Sequence, residues 1–173
     1  MSFRNSSLSI GYDKSEFSNT WFLERSFEAT LFKIIREIFD PKVIVYRGRV
    51  VKLMGDGILM EFGSVVDAVA FAVDVQQTLA LINETVRQEQ MISYRIGVNI
   101  GDVIIDGEDL YGDGVNVAAR IEPLASPGGV CISDNVYQQI KFKITGDFQS
   151  MGPQVLKNMT EPVEVWSWSV GGM

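Results

Sequence analysis

The spacing of apolar residues predicts several helices along the chain. In residues 21–39 apolar side chains recur at steps of three and four, which is the period of an amphipathic helix. Asp40-Pro41 is expected to end this helix, because proline disfavours helical geometry in the residue before it. A second helix is predicted over 65–86, where Ser64 can cap the first turn. Two further helices are predicted at about 113–124 and at 135–140.

Short apolar runs bounded by glycine and proline predict the strands. The stretch Gly55-Asp56-Gly57 lies between two such runs and is a strong hairpin signal. Residues 94–105 are expected to form a strand pair bent at residues 101–102. Residues 1–20 carry little periodicity and are expected to form either a poorly ordered lead-in or a degenerate first strand. The other strands are predicted at 43–46, 50–54, 58–62, 130–132, 148–151, 154–157 and 163–169.

Strands, helices and hairpins alternate without a repeated unit, which predicts an α+β domain. We expect a mixed sheet with helices packed on one face, formed by residues 21–173 after the N-terminal segment. The length of 173 residues suits a single domain of this kind.

Charge and composition exclude several kinds of function. The net charge is -7 and the chain has no histidine. Because an acidic protein gains little from a phosphate backbone, we expect no nucleic-acid partner. Without histidine the commonest general base and the commonest zinc ligand are missing. Any catalysis must therefore depend on carboxylates, lysine, arginine and metal ions.

The single cysteine, Cys131, permits no intrachain disulfide and fits a reducing compartment such as the cytoplasm. Its apolar neighbours predict a small buried strand residue rather than a nucleophile. No uninterrupted run of about 18 apolar residues occurs, so we expect no membrane contact within the chain.

Three segments carry candidate chemistry, and the first is 50–62. Asp56 lies at the glycine-flanked hairpin tip, where the backbone leaves room for a ligand. Its carboxylate would suit a magnesium ion, which takes oxygen ligands and often shares them with substrate phosphates. A tight hairpin needs the same residues, and this segment alone favours that simpler interpretation.

In the second segment, 108–120, a glycine-containing loop opens a helix, which is a natural place for a phosphate group. Asn116 and Arg120 are four residues apart and share a helix face. An amide and a guanidinium side by side can orient a sugar and clamp a phosphoryl group. Ala118 and Ala119 are small and permit close packing. Alone, the segment is explained equally well by an ordinary amphipathic helix with a surface arginine.

The third segment, 155–166, predicts a strand, a turn and a strand. By itself Lys157 in this segment is an ordinary solvated charge.

In their order, spacing and residue types, the three segments resemble the catalytic domain of bacterial class III adenylyl cyclases. The resemblance runs from about residue 37 to residue 169, and includes RIGVNIGD at 95–102, GDGVNVAAR at 112–120 and LKN at 156–158. It implies a ferredoxin-like core with extra elements and a mainly antiparallel sheet. It also implies a head-to-tail homodimer with the active sites in the cleft between the two domains.

The resemblance further implies a reaction. The family converts ATP to 3′,5′-cyclic AMP and pyrophosphate, through in-line attack of the ribose 3′-hydroxyl on the α-phosphorus. Two Mg2+ or Mn2+ ions per site activate the hydroxyl and neutralise the triphosphate. By position, Asp56 matches the second metal aspartate and Asn116 the residue that orients the ribose. Arg120 would stabilise charge on the α-phosphate, and Lys157 would hold the outer phosphates.

The resemblance also predicts which base is bound. Lys52 and Asp109 match the pair that reads the purine, and a lysine with an aspartate can satisfy N1 and the 6-amino group of adenine. Guanylyl cyclases of the family tend to carry glutamate and cysteine at these places, so a guanylyl cyclase is the weaker alternative.

The chain departs from the family's pattern at the first metal aspartate, which the family carries on its opening strand in a segment resembling Ala-Asp-Val-Val-Gly-Tyr-Ser. If Gly11-Tyr12 matches the Gly-Tyr of this segment, the metal position falls on Leu8. If the register is set by residues 23–25, it falls near Ser15. The acids nearby, which match neither register, are Asp13 and Glu16.

This departure leaves two functions open. The chain is either an active adenylyl cyclase or a catalytically degenerate cyclase-like module that dimerises or binds nucleotide to regulate a partner.

Overall fold

The computed structural model describes residues 3–12, 35–54, 57–88, 91–106, 109–144 and 146–171. Eight strands lie in this part of the chain: β1 (Phe3–Tyr12), β2 (Gly48–Met54), β3 (Gly57–Phe62), β4 (Tyr94–Asp106), β5 (Asp109–Tyr111), β6 (Gly129–Ser133), β7 (Gln149–Gln154) and β8 (Val163–Ser169). The α-helices are α1 (Asp40–Val45), α2 (Val65–Asn83), α3 (Asp113–Ile121) and α4 (Asp134–Ile140). A π-helical turn, Ile35–Phe39, precedes α1, and a 3-10 turn, Glu122–Leu124, follows α3.

The strands form a mixed sheet in the order β2-β3-β1-β4-β6-β8-β7, with β5 paired to β4. The β4–β6 pair is parallel and the other described pairs are antiparallel. This confirms the predicted α+β class with a mainly antiparallel sheet. β1 lies near the middle of the sheet and pairs with both β3 and β4. Of the two expectations for residues 1–20, a strand is therefore correct over Phe3–Tyr12.

Helices cover both faces of the sheet, which corrects the expectation of helices on one face. All residues of β6 are buried. Val130 and Ile132 pack with residues of α2 and α4, whereas Cys131 packs in a separate cluster with Ile121 of α3. Because successive strand residues point to opposite faces, α3 lies across the sheet from α2 and α4. We call these the α3 face and the core face. Helical periodicity gives each helix an apolar side but does not specify the face of the sheet that it covers.

The core face is filled by large aromatic side chains. Phe39, Phe62, Phe71 and Tyr94 are fully buried. Ring centroids are 5.2 Å apart for Phe39 and Tyr94, and 5.2 Å apart for Phe62 and Phe71. Such pairs add about 0.5–1.5 kcal/mol each beyond the burial of their area. Most of the hydrophobic stabilisation therefore comes from this side of the sheet.

α2 is the main helix of the core face. The Ser64 hydroxyl accepts a hydrogen bond from the backbone N–H of Asp67 at 3.4 Å, which confirms the predicted cap. By length and composition alone α2 could cross a membrane. Nine of its 19 residues are buried inside the domain, however, and this is the pattern of a core helix.

Residues 43–46 were predicted as a strand, and this prediction is wrong because 43–45 belong to α1. This helix begins at Asp40, and Pro41 occupies its first turn. Proline is tolerated there because the N–H that it lacks would have no partner within the helix. Asp40-Pro41 therefore starts an α-helix, where the sequence predicted a helix end. Most of the helix predicted over 21–39 lies outside the described residues.

β4 is a single strand of 13 residues, so the predicted strand pair bent at residue 101 is also wrong. Its residues up to Val103 pair with β1, and its last three residues pair with β5. The strand predicted at 154–157 does not form either, because β7 ends at Gln154 and Leu156 is buried in the connection to β8.

Candidate functional site

α3 lies close to the sheet because glycines of β4 face it. A Cβ atom at Gly97 would lie 2.7 Å from the backbone nitrogen of Glu122, which follows α3. A Cβ atom at Gly101 would lie 2.7 Å from the Cα of Gly114 in the first turn of α3. Both distances are shorter than real carbon contacts, so a side chain at either glycine would push the helix away. The motif glycines therefore set the height of α3 above the sheet.

Asn116 and Arg120, the predicted site residues of α3, do not face the sheet. The residues of the helix that are buried against the sheet are Gly114, Ala118 and Ile121. Asn116 is exposed and Arg120 is partly exposed. Of the two alanines predicted to permit close packing, Ala118 does so, whereas Ala119 is exposed.

Lys52 lies on the α3 face because of a β-bulge in β2. The register between β2 and β3 shifts between Val50 and Lys52, so that Lys52 is opposite Leu59. Leu59 packs with Val115 of α3. Because paired residues of antiparallel strands share a face, the bulge turns Lys52 to the side that α3 covers.

The other predicted purine residue, Asp109, is the first residue of β5 and is paired with Asp106 of β4. β5 contacts β2, so the backbone of Asp109 belongs to a strand that touches the strand of Lys52. Asp56 lies outside the described residues. The residues around it, Met54 and Gly57, are paired with each other.

A turn next to α3 carries Lys157. Leu156 is buried in the same cluster as Ile121 of α3, and Met159 packs against that cluster. The backbone N–H of Met159 donates to the carbonyl of Leu156 at 3.1 Å. Asn158 has a φ of 59°, a left-handed conformation that asparagine adopts more readily than most residues. The exposed Lys157 therefore extends from a turn that is anchored beside the helix.

Two cations near α1 and α2 differ from Arg120 and Lys157 in having carboxylate partners. Near α1 and α2, Lys42 is paired with Asp74 at 2.7 Å and Arg47 with Asp67 at 2.7 Å. Within the described part of the chain, by contrast, Arg120 and Lys157 form no ion pair or side-chain hydrogen bond. In an acidic chain, two unpaired cations on neighbouring elements suit an anionic ligand.

Burial raises the pKa of two further groups, Tyr46 and Cys131. Burial, and then the nearby Asp74, raise the pKa of Tyr46, which donates a hydrogen bond to that carboxylate at 3.1 Å. Burial raises the pKa of the Cys131 thiol to about 12, so the thiol stays protonated near neutral pH. This confirms Cys131 as a buried strand residue and makes it unsuited to nucleophilic chemistry.

A cavity of about 930 Å³ lies between the start of α3, the β6–α4 junction and the chain before β8. Asp113, Asp134 and Glu164 line it, and none of the five predicted site residues in the described part of the chain does. Three carboxylates would repel a triphosphate, so this cavity by itself is a poor nucleotide site.

The register of β1 bears on the missing metal ligand. Leu8 is opposite Met60 and Val98, both of which are buried on the core face. Gly11, three residues later, is opposite Gly57, next to the hairpin tip that contains Asp56. The position assigned by the Gly-Tyr motif is therefore away from the tip, and the described residues of β1 that lie nearest to it are at the Gly11 end of the strand.

Within the described residues, no group of three or more His, Cys, Asp or Glu side chains could hold a metal ion. This part of the chain does not by itself fit a two-ion site. Ligands for Mg2+ or Mn2+ would have to include residues outside it, such as Asp56.

Sequence reasoning missed two polar residues beneath α3. Asn99 of β4 and Ser133 at the end of β6 are 5% and 2% exposed. The Asn99 amide donates to the Gly114 carbonyl at 3.0 Å and accepts from the Ser133 hydroxyl at 2.7 Å. The available signal was one asparagine inside the otherwise apolar and glycine-containing run of β4.

Comparisons with known proteins give a family match and a curated relative. The family model described as the adenylate and guanylate cyclase catalytic domain matches residues 23–167. The chain is 44% identical to "Putative adenylate cyclase 3" of Rhizobium meliloti (strain 1021) over 146 residues, which are 84% of this chain and 25% of that protein. The chain thus spans about a quarter of the length of this curated relative.

Two solved structures are similar over nearly their whole length. An adenylate/guanylate cyclase/hydrolase from Silicibacter pomeroyi has a TM-score of 0.89 and 32% identity, with 99% of each chain covered. The adenylyl cyclase CyaB from P. aeruginosa has a TM-score of 0.76 and 19% identity, with 97% of this chain and 95% of that chain covered. The second likeness concerns the fold alone.

Proposed function

Because the chain belongs to the adenylate and guanylate cyclase catalytic domain family, we propose that it forms 3′,5′-cyclic AMP and pyrophosphate from ATP. The observation that carries this proposal is the composition of the α3 side. Asn116 and the unpaired Arg120 extend from one helix, Lys157 extends from a turn packed beside it, and Lys52 lies on the same face of the sheet.

The choice of ATP over GTP rests on Lys52 and Asp109. The lysine can donate to N1 of adenine and the aspartate can accept from the 6-amino group. GTP presents an N–H donor at N1 and a carbonyl acceptor at position 6. The lysine donor would then face a donor, and the aspartate acceptor would face an acceptor. The contact between β2 and β5 supports a joint role, since it brings together the strands that carry the two residues.

The remaining residues act on the sugar and the phosphates. Asn116 would hydrogen-bond the ribose and hold its 3′-hydroxyl in line with the α-phosphorus. Arg120 would donate to the oxygens on which negative charge grows, an electrostatic contribution of several kcal/mol in comparable sites. Lys157 would neutralise the outer phosphates and hold the leaving pyrophosphate in place.

We propose that the active site is completed by a second copy of the chain. Asn116 and Lys157 are exposed, and the nearby cavity is acidic and unsuited to a triphosphate. Both observations support a site that closes only when another chain covers the α3 side. The partner's hairpin tip would then bring its Asp56 to the phosphates. A monomer should be inactive, so specific activity should fall on dilution below the dimer dissociation constant.

Divalent ions would be held by Asp56 together with the phosphates of the substrate, because Mg2+ and Mn2+ prefer oxygen ligands. When bound, they would add to the neutralisation of the phosphates by Arg120 and Lys157. ATP binding should therefore depend strongly on Mg2+ or Mn2+.

The decisive experiment measures cyclic AMP formation by the purified protein with ATP and Mn2+, with GTP assayed in parallel. Asp56→Ala and Arg120→Ala are assayed beside it, with Arg87→Ala as a control for an exposed arginine elsewhere. Turnover that the two site substitutions abolish and the control retains would support the proposal. A folded dimer without turnover on either nucleotide would refute it.

A catalytically degenerate module is the second candidate, and β1 favours it. The ten residues of this strand contain no aspartate or glutamate, although the family carries its first metal aspartate on the opening strand. If the chain turns over ATP, Asp13 is the first acid after β1, and Asp13→Asn should then reduce turnover while Glu16→Gln should not. A degenerate module would bind ATP no better with Mg2+ or Mn2+ than without.

A further inference from the structure

Asn99 and Ser133 join three elements beneath α3. The amide nitrogen of Asn99 in β4 donates to the carbonyl of Gly114, in the first turn of α3. The hydroxyl of Ser133, where β6 meets α4, donates to the amide oxygen of Asn99 at 2.7 Å. The serine thus fixes the orientation of the amide, and the amide fixes one point of the helix.

The glycine contacts of α3 set a distance but little direction. Gly101 faces Gly114, and Gly97 faces the end of the helix near Ala118. Smooth contacts of this kind allow a helix to slide or rotate without large loss of packing. A directional hydrogen bond resists both motions.

α3 also buries few large side chains completely, because two of its three buried residues are Gly114 and Ala118, while Val115 and Val117 pack partly buried against the sheet. α2 buries nine residues by comparison, among them Phe71 and Leu79. One buried hydrogen bond therefore contributes a larger fraction of the free energy that attaches α3 to the sheet than it would for α2.

We propose that Asn99 is a positioning residue, which holds α3 so that Asn116 and Arg120 meet the substrate. Asn116 and Arg120 follow Gly114 by two and six residues on the same rigid helix, so any shift at Gly114 is carried to both. Ser133 assists by orienting the Asn99 amide. This inference rests on the proposed function of Asn116 and Arg120.

Gln76 provides a matched control. It is 1% exposed, and its side-chain amide donates to the carbonyls of Tyr94 and Gly129 at 2.8 Å each. It is therefore a buried, hydrogen-bonded amide like Asn99, but it ties α2 to the sheet and does not touch α3. A general loss of stability should affect both amides alike.

The test compares Asn99→Leu, Gln76→Leu and Ser133→Ala in the full chain by hydrogen exchange, thermal unfolding and steady-state kinetics. Asn99→Leu should speed amide exchange in α3 by about tenfold, which corresponds to the loss of one buried hydrogen bond. Its kcat should fall about 10- to 100-fold, as expected for a misplaced catalytic group. KM for ATP should change by a smaller factor than kcat, because Lys52 is held by β2 and does not move with α3.

Gln76→Leu should lower the unfolding temperature while leaving both the exchange of α3 and kcat unchanged. Ser133→Ala should shift exchange and kcat in the same direction as Asn99→Leu, by a smaller factor, and it keeps the comparison available should Asn99→Leu not fold. Equal effects of the two leucine variants on α3 would overturn the positioning role. A wild-type chain without turnover would refute the proposed function, and the exchange of α3 would then decide by itself whether Asn99 holds the helix.

Discussion

The two faces of the sheet are filled in different ways. On the core face, large side chains such as Phe39, Phe62 and Phe71 interlock with no exposed surface. On the α3 face, a smaller side-chain cluster around Ile121 is joined by close backbone contacts, such as that of Gly101 with Gly114. A side-chain core can absorb a modest change by repacking, whereas a backbone contact can adjust only by moving the whole helix.

The residues that stabilise the fold and the residues proposed to act on the substrate therefore lie mainly on different faces of the sheet. The aromatic cluster and the paired charges of Lys42 and Arg47 lie around α1 and α2. Arg120 and Lys157, which form no ion pair among the described residues, belong to the α3 side. We therefore expect core-face substitutions to change the free energy of unfolding, and α3-face substitutions to change turnover.

Phe71→Ala should give the largest loss of stability. The ring is fully buried and lies 5.2 Å from Phe62 and 6.2 Å from Phe39 between centroids. Truncation of such a side chain costs about 3–5 kcal/mol. Urea unfolding measures the change, and kcat per folded molecule should stay within about twofold because α3 is untouched. A selective loss of kcat in well-folded Phe71→Ala would contradict the expectation that core-face substitutions change stability and leave turnover unchanged.

Arg120→Ala should have the largest effect on turnover. Loss of a group that stabilises transition-state charge reduces kcat by about 100- to 1,000-fold. Because Arg120 is partly exposed and forms no ion pair among the described residues, the unfolding midpoint should move little. Lys143→Ala, an exposed cation beyond α4, serves as the control and should leave kcat unchanged. An equal loss of kcat in the control would indicate a general effect of charge.

Gly97→Ala should have an intermediate effect on both properties. The new methyl group would meet the backbone of α3 and of Glu122, so the helix must shift. Overpacking of this kind costs about 1–3 kcal/mol. Turnover should fall by more than the folded fraction does, since the helix carries Arg120. Gly63→Ala is the matched control, because no atom lies within 4 Å of a Cβ at that position. Similar behaviour of the two variants would show that α3 is less tightly seated than the geometry indicates.

The smallest effect concerns alkaline stability. Burial raises the pKa of Cys131 from 9.0 to about 12, so between these values the unfolded chain releases the thiol proton and the folded chain retains it. Stability from this group is present below pH 9 and decreases as the pH rises toward 12. At pH 10 the loss is about 1 kcal/mol. Unfolding midpoints at pH 7 and pH 10 should therefore differ less in Cys131→Ala than in the wild type, and an unchanged difference would contradict the assignment.

Local signals in the sequence predicted most elements correctly. Ser64 identified the start of α2, and the glycines around Asp56 identified the β2–β3 pairing. Signals that depend on tertiary context failed. The prediction of a helix end at Pro41 is wrong because proline is compatible both with the first turn of a helix and with the residues after its last turn, and local sequence does not distinguish the two.

The site was predictable only through the resemblance of the motifs. Taken alone, Lys157 was an ordinary surface charge, and nothing in the spacing of β2 indicated that a bulge turns Lys52 toward α3. Asn99 was missed because one asparagine in the otherwise apolar run 96–101 of β4 does not indicate its partner. The fold brings Ser133, 34 positions away in the sequence, to the same amide.

The position of β1 in the sheet also sets the order in which the protein can fold. Gly11 pairs with Gly57, which is 46 positions later in the sequence, and Ser6 pairs with Ile100, which is 94 positions later. Such distant pairings make folding slow, because the entropy of closing long loops is lost before the contacts form. On the ribosome, a nascent chain that ends before β4 holds β3 and β1 with an open edge that would favour intermolecular pairing. Production of this domain should therefore be more sensitive to chaperone supply and synthesis rate than its modest size suggests.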